Sequence, residues 1–92
     1  MLKNNGLTRG GEEWPLHELR ELLAHFGRCK PNRIKASTRL REDLGIDSFT
    51  AVEVLVLIEQ RFNCRLSETE AEKVIAFRDL VDLVRRKGTK NL

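Results

Sequence analysis

The sequence has no tyrosine, one tryptophan, two prolines and only two cysteines in 92 residues. With four phenylalanines as the remaining aromatics, it has little with which to grip a flat ligand or stack bases, and the core is expected to be aliphatic. Cys29 and Cys64 are too few for the disulfide framework of a small secreted scaffold, and neither belongs to a CxxC pair that would suggest zinc. Both are expected to be free thiols. Long apolar runs are missing as well: the longest, residues 54–58, is far too short to cross a bilayer, and the opening MLKNNGLTRGGEE has no apolar leader segment. These absences predict a cytoplasmic protein without membrane insertion.

What is present suits one small domain with a single core, since a chain this short buries too little surface for two. The net charge of +3 conceals a strong segregation. Residues 1–27 carry three Lys/Arg against four Asp/Glu, residues 28–41 six against none, residues 42–82 four against ten, and residues 83–92 four against none. An acidic centre is thus flanked by a basic loop and a basic tail. The basic run RCKPNRIKASTRLR has no interleaved aromatics, so a solvated loop is expected there rather than a nucleic-acid site.

Between residues 14 and 26, Leu16, Leu19, Leu22, Leu23 and Phe26 recur at helical spacing, with Pro15 suited to a first turn and Gly27 to a stop. Residues 29–46 contain Pro31, Asn32, Ser37, Thr38 and Gly45 and read as a long connection, anchored to the core by Ile34, Leu40, Leu44 and Ile46. In the next segment Val52, Val54, Val56 and Ile58 are β-branched and alternate as in a strand. No other segment offers a strand to pair with it, and the apolar signal extends to Phe62, so a helix over 48–63 is predicted. Ser67, Glu68, Thr69 and Glu70 start a short helix toward Val74, and Phe77, Leu80, Val81 and Val84 define a last one over 77–86. The predicted fold is all-α: a small four-helix bundle of three longer helices and one short one, with the long loop between the first two.

On the helix over 48–63, Ala51, Val54, Leu55, Ile58 and Phe62 share one face, while Phe49, Val52 and Val56 form a second stripe roughly opposite. One small core cannot bury both. Bordered by Glu53, Glu59 and Gln60, the second stripe reads as a partner-binding surface with a polar rim. Ser48, where the turn gives way to the helix, could serve as a cap. His25 and Cys29 have the i,i+4 spacing of paired metal ligands, but Gly27 is expected to end the helix between them, so no metal site is predicted.

The stretch DLGIDS, residues 43–48, resembles the DLGxDS signature of the acyl carrier protein family, and the resemblance continues through SFTAVEVLVLIEQRF, ETEAEKV and FRDLVDLV. It implies that Ser48 carries 4'-phosphopantetheine, that Gly45 makes the turn, and that Asp47 contacts the metal ion used during modification. Free N–H groups at the helix start would then stabilise the tethered phosphodiester. The implied partners are a phosphopantetheinyl transferase and acyl-transferring or synthase enzymes, which would meet the carrier at Phe49, Val52, Glu53, Val56 and Glu59. The expected layout is a flexible leader over 1–11, an acyl carrier domain over 12–87 and a flexible basic tail over 88–92. The expected function is non-enzymatic: a monomer bearing acyl groups as thioesters, specialised within fatty-acid, lipid or polyketide biosynthesis. The alternative is an unmodified interaction module, or a nucleic-acid binder using the basic loop 28–41. Against the family pattern, Thr50, Gln60 and Arg61 stand where many relatives have acids, which implies weaker steering toward basic enzymes. Ile75 and Ala76 replace the usual Thr/Ser before the last helix, which is therefore expected to start late or fray.

Overall fold

Helical periodicity in the sequence becomes four helices in the computed structural model, which describes residues 13–88. They are α1 (Glu13–Gly27), α2 (Ser48–Phe62), α3 (Glu68–Glu72) and α4 (Phe77–Gly88), with a single 3-10 turn (Pro31–Arg33) in the long connection after α1. The described residues form no strand, only an isolated antiparallel bridge between Arg39 and Ala76. The expected leader over 1–11 and most of the expected tail lie outside the described residues.

The three longer helices bury their apolar faces against one another. Leu19 and Leu23 of α1, Ile58 of α2, and Phe77, Leu80 and Val84 of α4 are almost completely shielded. Burying each such side chain contributes about 1.5–3 kcal/mol. Every other side-chain class is kept out: the described core contains no buried polar or charged residue. The β-branched segment of α2 is helical because Val54, Ile58 and Phe62 find this core, and packing outweighs the modest strand preference of valine.

Helices α1 and α2 end the same way. Arg28 and Asn63 adopt the left-handed region (φ 54° and 52°), and the next residues, Cys29 and Cys64, return their N–H groups to Ala24 and Glu59 carbonyls at 3.1 and 3.2 Å. This geometry satisfies carbonyls that the helix end would leave open. Both cysteines are free and partly buried against the core, where each packs as a small apolar group. Gly27 has a different role from the stop expected of it: it is still helical, and a Cβ there would lie 3.1 Å from Leu44 Cδ2. Its bare backbone lets the loop close onto α1.

The start of α4 falls where the apolar spacing places it, and not late as the missing Thr/Ser implied. Ala76 cannot cap, yet the helix begins at Phe77. The Asp79 carboxylate accepts the Ile75 and Ala76 N–H groups at 3.1 and 2.9 Å, the side-chain half of a capping box. The loop supplies the rest, as the Phe77 and Arg78 N–H groups donate to the Thr38 and Ala36 carbonyls at 2.8 and 3.0 Å. From α1, Arg20 donates to the Ile34 carbonyl at 3.1 Å and lies 5.4 Å from the Phe77 ring centre. Ile34 and Ile46 are buried, and Leu40 and Leu44 half-buried, so the loop is pinned along its length.

Candidate functional site

Five of the six residues of DLGIDS have a mechanical task, and the side chain of the last is left over. Asp43 braces the preceding turn, accepting the Arg39 N–H at 2.7 Å while Arg39 also reaches Glu42 at 2.8 Å. That backbone hydrogen bond from Arg39, offset in part by desolvation, holds the Asp43 carboxyl below its usual range. Leu44 packs onto Gly27, Gly45 supplies the left-handed bend (φ 72°) that a side chain would strain, and Ile46 dives into the core. Asp47 then caps α2, accepting the Thr50 N–H at 2.8 Å. Hydrogen bonding from Thr50 keeps the Asp47 carboxyl ionised to lower pH than usual.

Asp47, then, is the cap, and Ser48 is the first helical residue. Ser48 is exposed, and its hydroxyl makes no hydrogen bond among the described residues. The expectation of free N–H groups for a tethered anion needs correcting in part, because the Thr50 N–H is already engaged and the Asp47 charge sits on the same turn.

Beside Ser48 opens a groove of ≈ 630 Å³ that sequence reasoning does not reveal. Its walls come from the loop (Leu40, Ile46), α2 (Ala51, Leu55) and the α3–α4 segment (Ala71, Val74, Ile75), with Leu23 and Leu80 deeper in. Arg39 and Arg41 stand on one side of the mouth, Glu68 and Glu72 on the α3 side. The apolar lining was individually visible as core residues, but their assembly around Ser48 depends on the long loop's path. A smaller cavity of ≈ 380 Å³, between α3 and α4, is lined mainly by charged residues such as Lys73, Asp82 and Arg86 and does not include Ser48.

Phe49, Val52 and Val56 are exposed by 83, 60 and 45%, with Glu53 exposed among them. Glu59 does not join this rim: its carboxylate turns inward to accept the Leu66 N–H at 2.8 Å, tying down the connection to α3. Arg61 is likewise occupied, pairing with Glu18 of α1 at 3.3 Å. Ile75, 63% exposed at the groove's edge, is an apolar surface residue the helical pattern missed because it lies just outside α4. His25 packs edge-on against Phe26 at 5.2 Å, and no cluster of three metal-ligating side chains occurs among the described residues.

The described residues thus form a small helical bundle with an exposed, unengaged serine at the start of α2 beside an apolar groove. The profile of the family described as "Phosphopantetheine attachment site" matches residues 17–86, and the chain belongs to this family, that of the acyl carrier proteins. The acyl carrier protein of Campylobacter curvus (strain 525.92) is 31% identical over 71 residues, covering 77% of this chain and 92% of that one. That of Wolinella succinogenes is 31% identical over 64 residues, covering 70 and 84%. In fold, the chain is similar to the apo doublet acyl carrier protein from prodigiosin biosynthesis, with a TM-score of 0.68 at 17% identity. The match covers 83% of this chain and 37% of the doublet.

Proposed function

We propose that this chain transports acyl groups on a 4'-phosphopantetheine arm attached to Ser48, and acts as a carrier rather than a catalyst. The observation that carries this reading is the exposed, unengaged Ser48 hydroxyl on the first turn of α2, at the mouth of an apolar groove. When bound, the arm supplies a flexible reach and a terminal thiol for thioester chemistry. The chain's own residues do the rest. Asp47 and Gly45 hold Ser48 outward for a phosphopantetheinyl transferase, with Asp47 lending a carboxylate to the metal ion used in that transfer. The groove offers apolar surface that excludes water from part of the cargo. Phe49, Val52, Glu53 and Val56 form the surface on which the transferase and acyl-transferring or synthase enzymes dock.

A catalytic serine would need an adjacent base. His17 and His25 both lie on α1, and the groove's described lining contains no histidine, cysteine or lysine. Within fatty-acid, lipid or polyketide biosynthesis, the thinning of acids on α2 favours a specialised carrier over a housekeeping one. Incubated with coenzyme A, magnesium and a broad-specificity transferase, the protein gains the mass of one phosphopantetheine and Ser48→Ala gains none. A wild type left unmodified while a control carrier is modified overturns the reading.

A further inference from the structure

We propose that the loop between α1 and α2 is a docking surface for an acidic patch on a client protein that exchanges acyl groups with this carrier. This inference rests on the carrier reading. Arg28, Lys30, Arg33, Lys35 and Arg41 are all exposed, and none forms an ion pair among the described residues; Arg39 is the exception, held by Glu42 and Asp43. Folding adds a sixth cation that the sequence does not place there, one whose charge also acts on neighbouring Asp79. The Arg78 N–H bonds to the Ala36 carbonyl at 3.0 Å, so the first turn of α4, which carries exposed Arg78, lies against the loop next to Lys35.

The ribbon reaches the functional site, since Arg41 lines the groove mouth with Ser48. It is also held in place by the bonds of Ala36 and Thr38 to α4, so little backbone freedom is lost on docking. Helix α2, by contrast, has one charged side chain left for a partner: Glu59 is bonded to Leu66 and Arg61 to Glu18, which leaves Glu53. Long-range attraction toward a client therefore comes from the loop, and it selects negative charge. A protein fits better than the other polyanions. None of the exposed large apolar side chains lies in residues 28–41, and only Ile75 stands beside the run, its carbonyl accepting the Leu40 N–H at 2.9 Å, so a membrane finds a single apolar side chain to add to the charge. The run has no aromatic for a base to stack on. Arginine forks, four of the six cations outside the Arg39 ion pairs, match carboxylates in paired geometry.

The test uses holo-protein and cleared extract of the native host, following the initial rate at which labelled acyl groups load onto the arm. Arg33→Glu/Lys35→Glu is expected to slow loading about ten-fold or more while leaving the phosphopantetheine in place. Arg33→Lys/Lys35→Arg keeps the rate, and rising salt narrows the gap between wild type and the reversed variant. A melt by circular dichroism verifies folding, and Arg28→Glu/Lys30→Glu serves as a second reversal elsewhere on the ribbon. Equal rates for the wild type and a folded charge-reversed variant overturn the proposal. So does charge-dependent binding at physiological salt to vesicles of phosphatidylglycerol and phosphatidylcholine, or to poly-uridine, since either assigns the ribbon to a different polyanion. A wild type that never acquires the arm is a separate result, and sinks the carrier reading itself.

Discussion

Helices α2 and α4 each begin with an aspartate and a phenylalanine in their opening turn, and the two pairs are used in opposite ways. At α2 the cap is local: Asp47 bonds Thr50, three residues on, and Phe49 stands 83% exposed. At α4 the start is closed from a distance. Phe77 is 1% exposed beneath Arg20, and loop carbonyls from Thr38 and Ala36 take the N–H groups that Asp79 does not. A helix start closed by its own neighbours can stand in solvent and accept modification without disturbing the fold. One closed by remote chain is where the fold is tied together.

Truncating the two phenylalanines should break this symmetry most visibly. Phe77→Ala leaves a cavity and is expected to cost about 3–5 kcal/mol, much of the roughly 5–15 kcal/mol that holds a small domain together. Phe49→Ala removes an exposed ring and is expected to shift stability by no more than about 0.5 kcal/mol, while impairing transfer to partner enzymes. Denaturant melts beside a modification assay read both. Comparable losses of stability would place Phe49 in the core and undo the assignment of its face to docking.

The same split shows how much the sequence discloses. The starts of α2 and α4, at Ser48 and Phe77, coincide with those expected, and α1 and α2 end within a residue of expectation. Apolar periodicity accounts for that, because the core face of a helix is written in side chains. The loop's attachment to α4 is written in backbone groups, which every residue possesses, so nothing in Ala36, Thr38 or Ile75 announces it. The groove was hidden for the same reason. Glu59 misled because a carboxylate on a helix surface looks the same whether it faces a partner or bends back to the Leu66 N–H. DLGIDS was legible through its resemblance to a known signature, whereas the local tasks of five of its six residues emerge only in the structure.

The two caps form the next comparison. Asp79→Ala leaves the partly buried Ala76 N–H without its acceptor and is expected to cost about 1 kcal/mol, more than Asp47→Ala, whose lost bond is replaced by water. Acid should show the same carboxylates at work. Asp43, Asp47 and Asp79 all have folded-state pKa values lowered, chiefly by backbone hydrogen bonds, and that of Glu70 falls to about 2 through Ser67 and Lys87. Because the unfolded chain binds protons more readily, their stabilisation is fully present above the ordinary carboxylate range and is lost as pH falls from there through the lowered folded values, about 2 for Glu70. Asp79→Asn, which cannot titrate, should flatten the fall in melting temperature on acidification. An unchanged slope would remove Asp79 from the cap.

The smallest expected effect is also the most discriminating. Ser48 occupies the first position of α2, is exposed, and has no bonded partner for its hydroxyl among the described residues. Alanine is a good helix former and loses no hydrogen bond there, so Ser48→Ala should leave stability within about 0.5 kcal/mol of wild type while abolishing attachment of the arm. Paired melts of apo wild type and Ser48→Ala measure the first half, and intact mass after transferase treatment the second. If Ser48→Ala lowered the melting temperature as much as Asp79→Ala, its hydroxyl would belong to the capping system. The start of α2 would then be part of the fold's own fastening, and no longer a free handle on a self-sufficient turn.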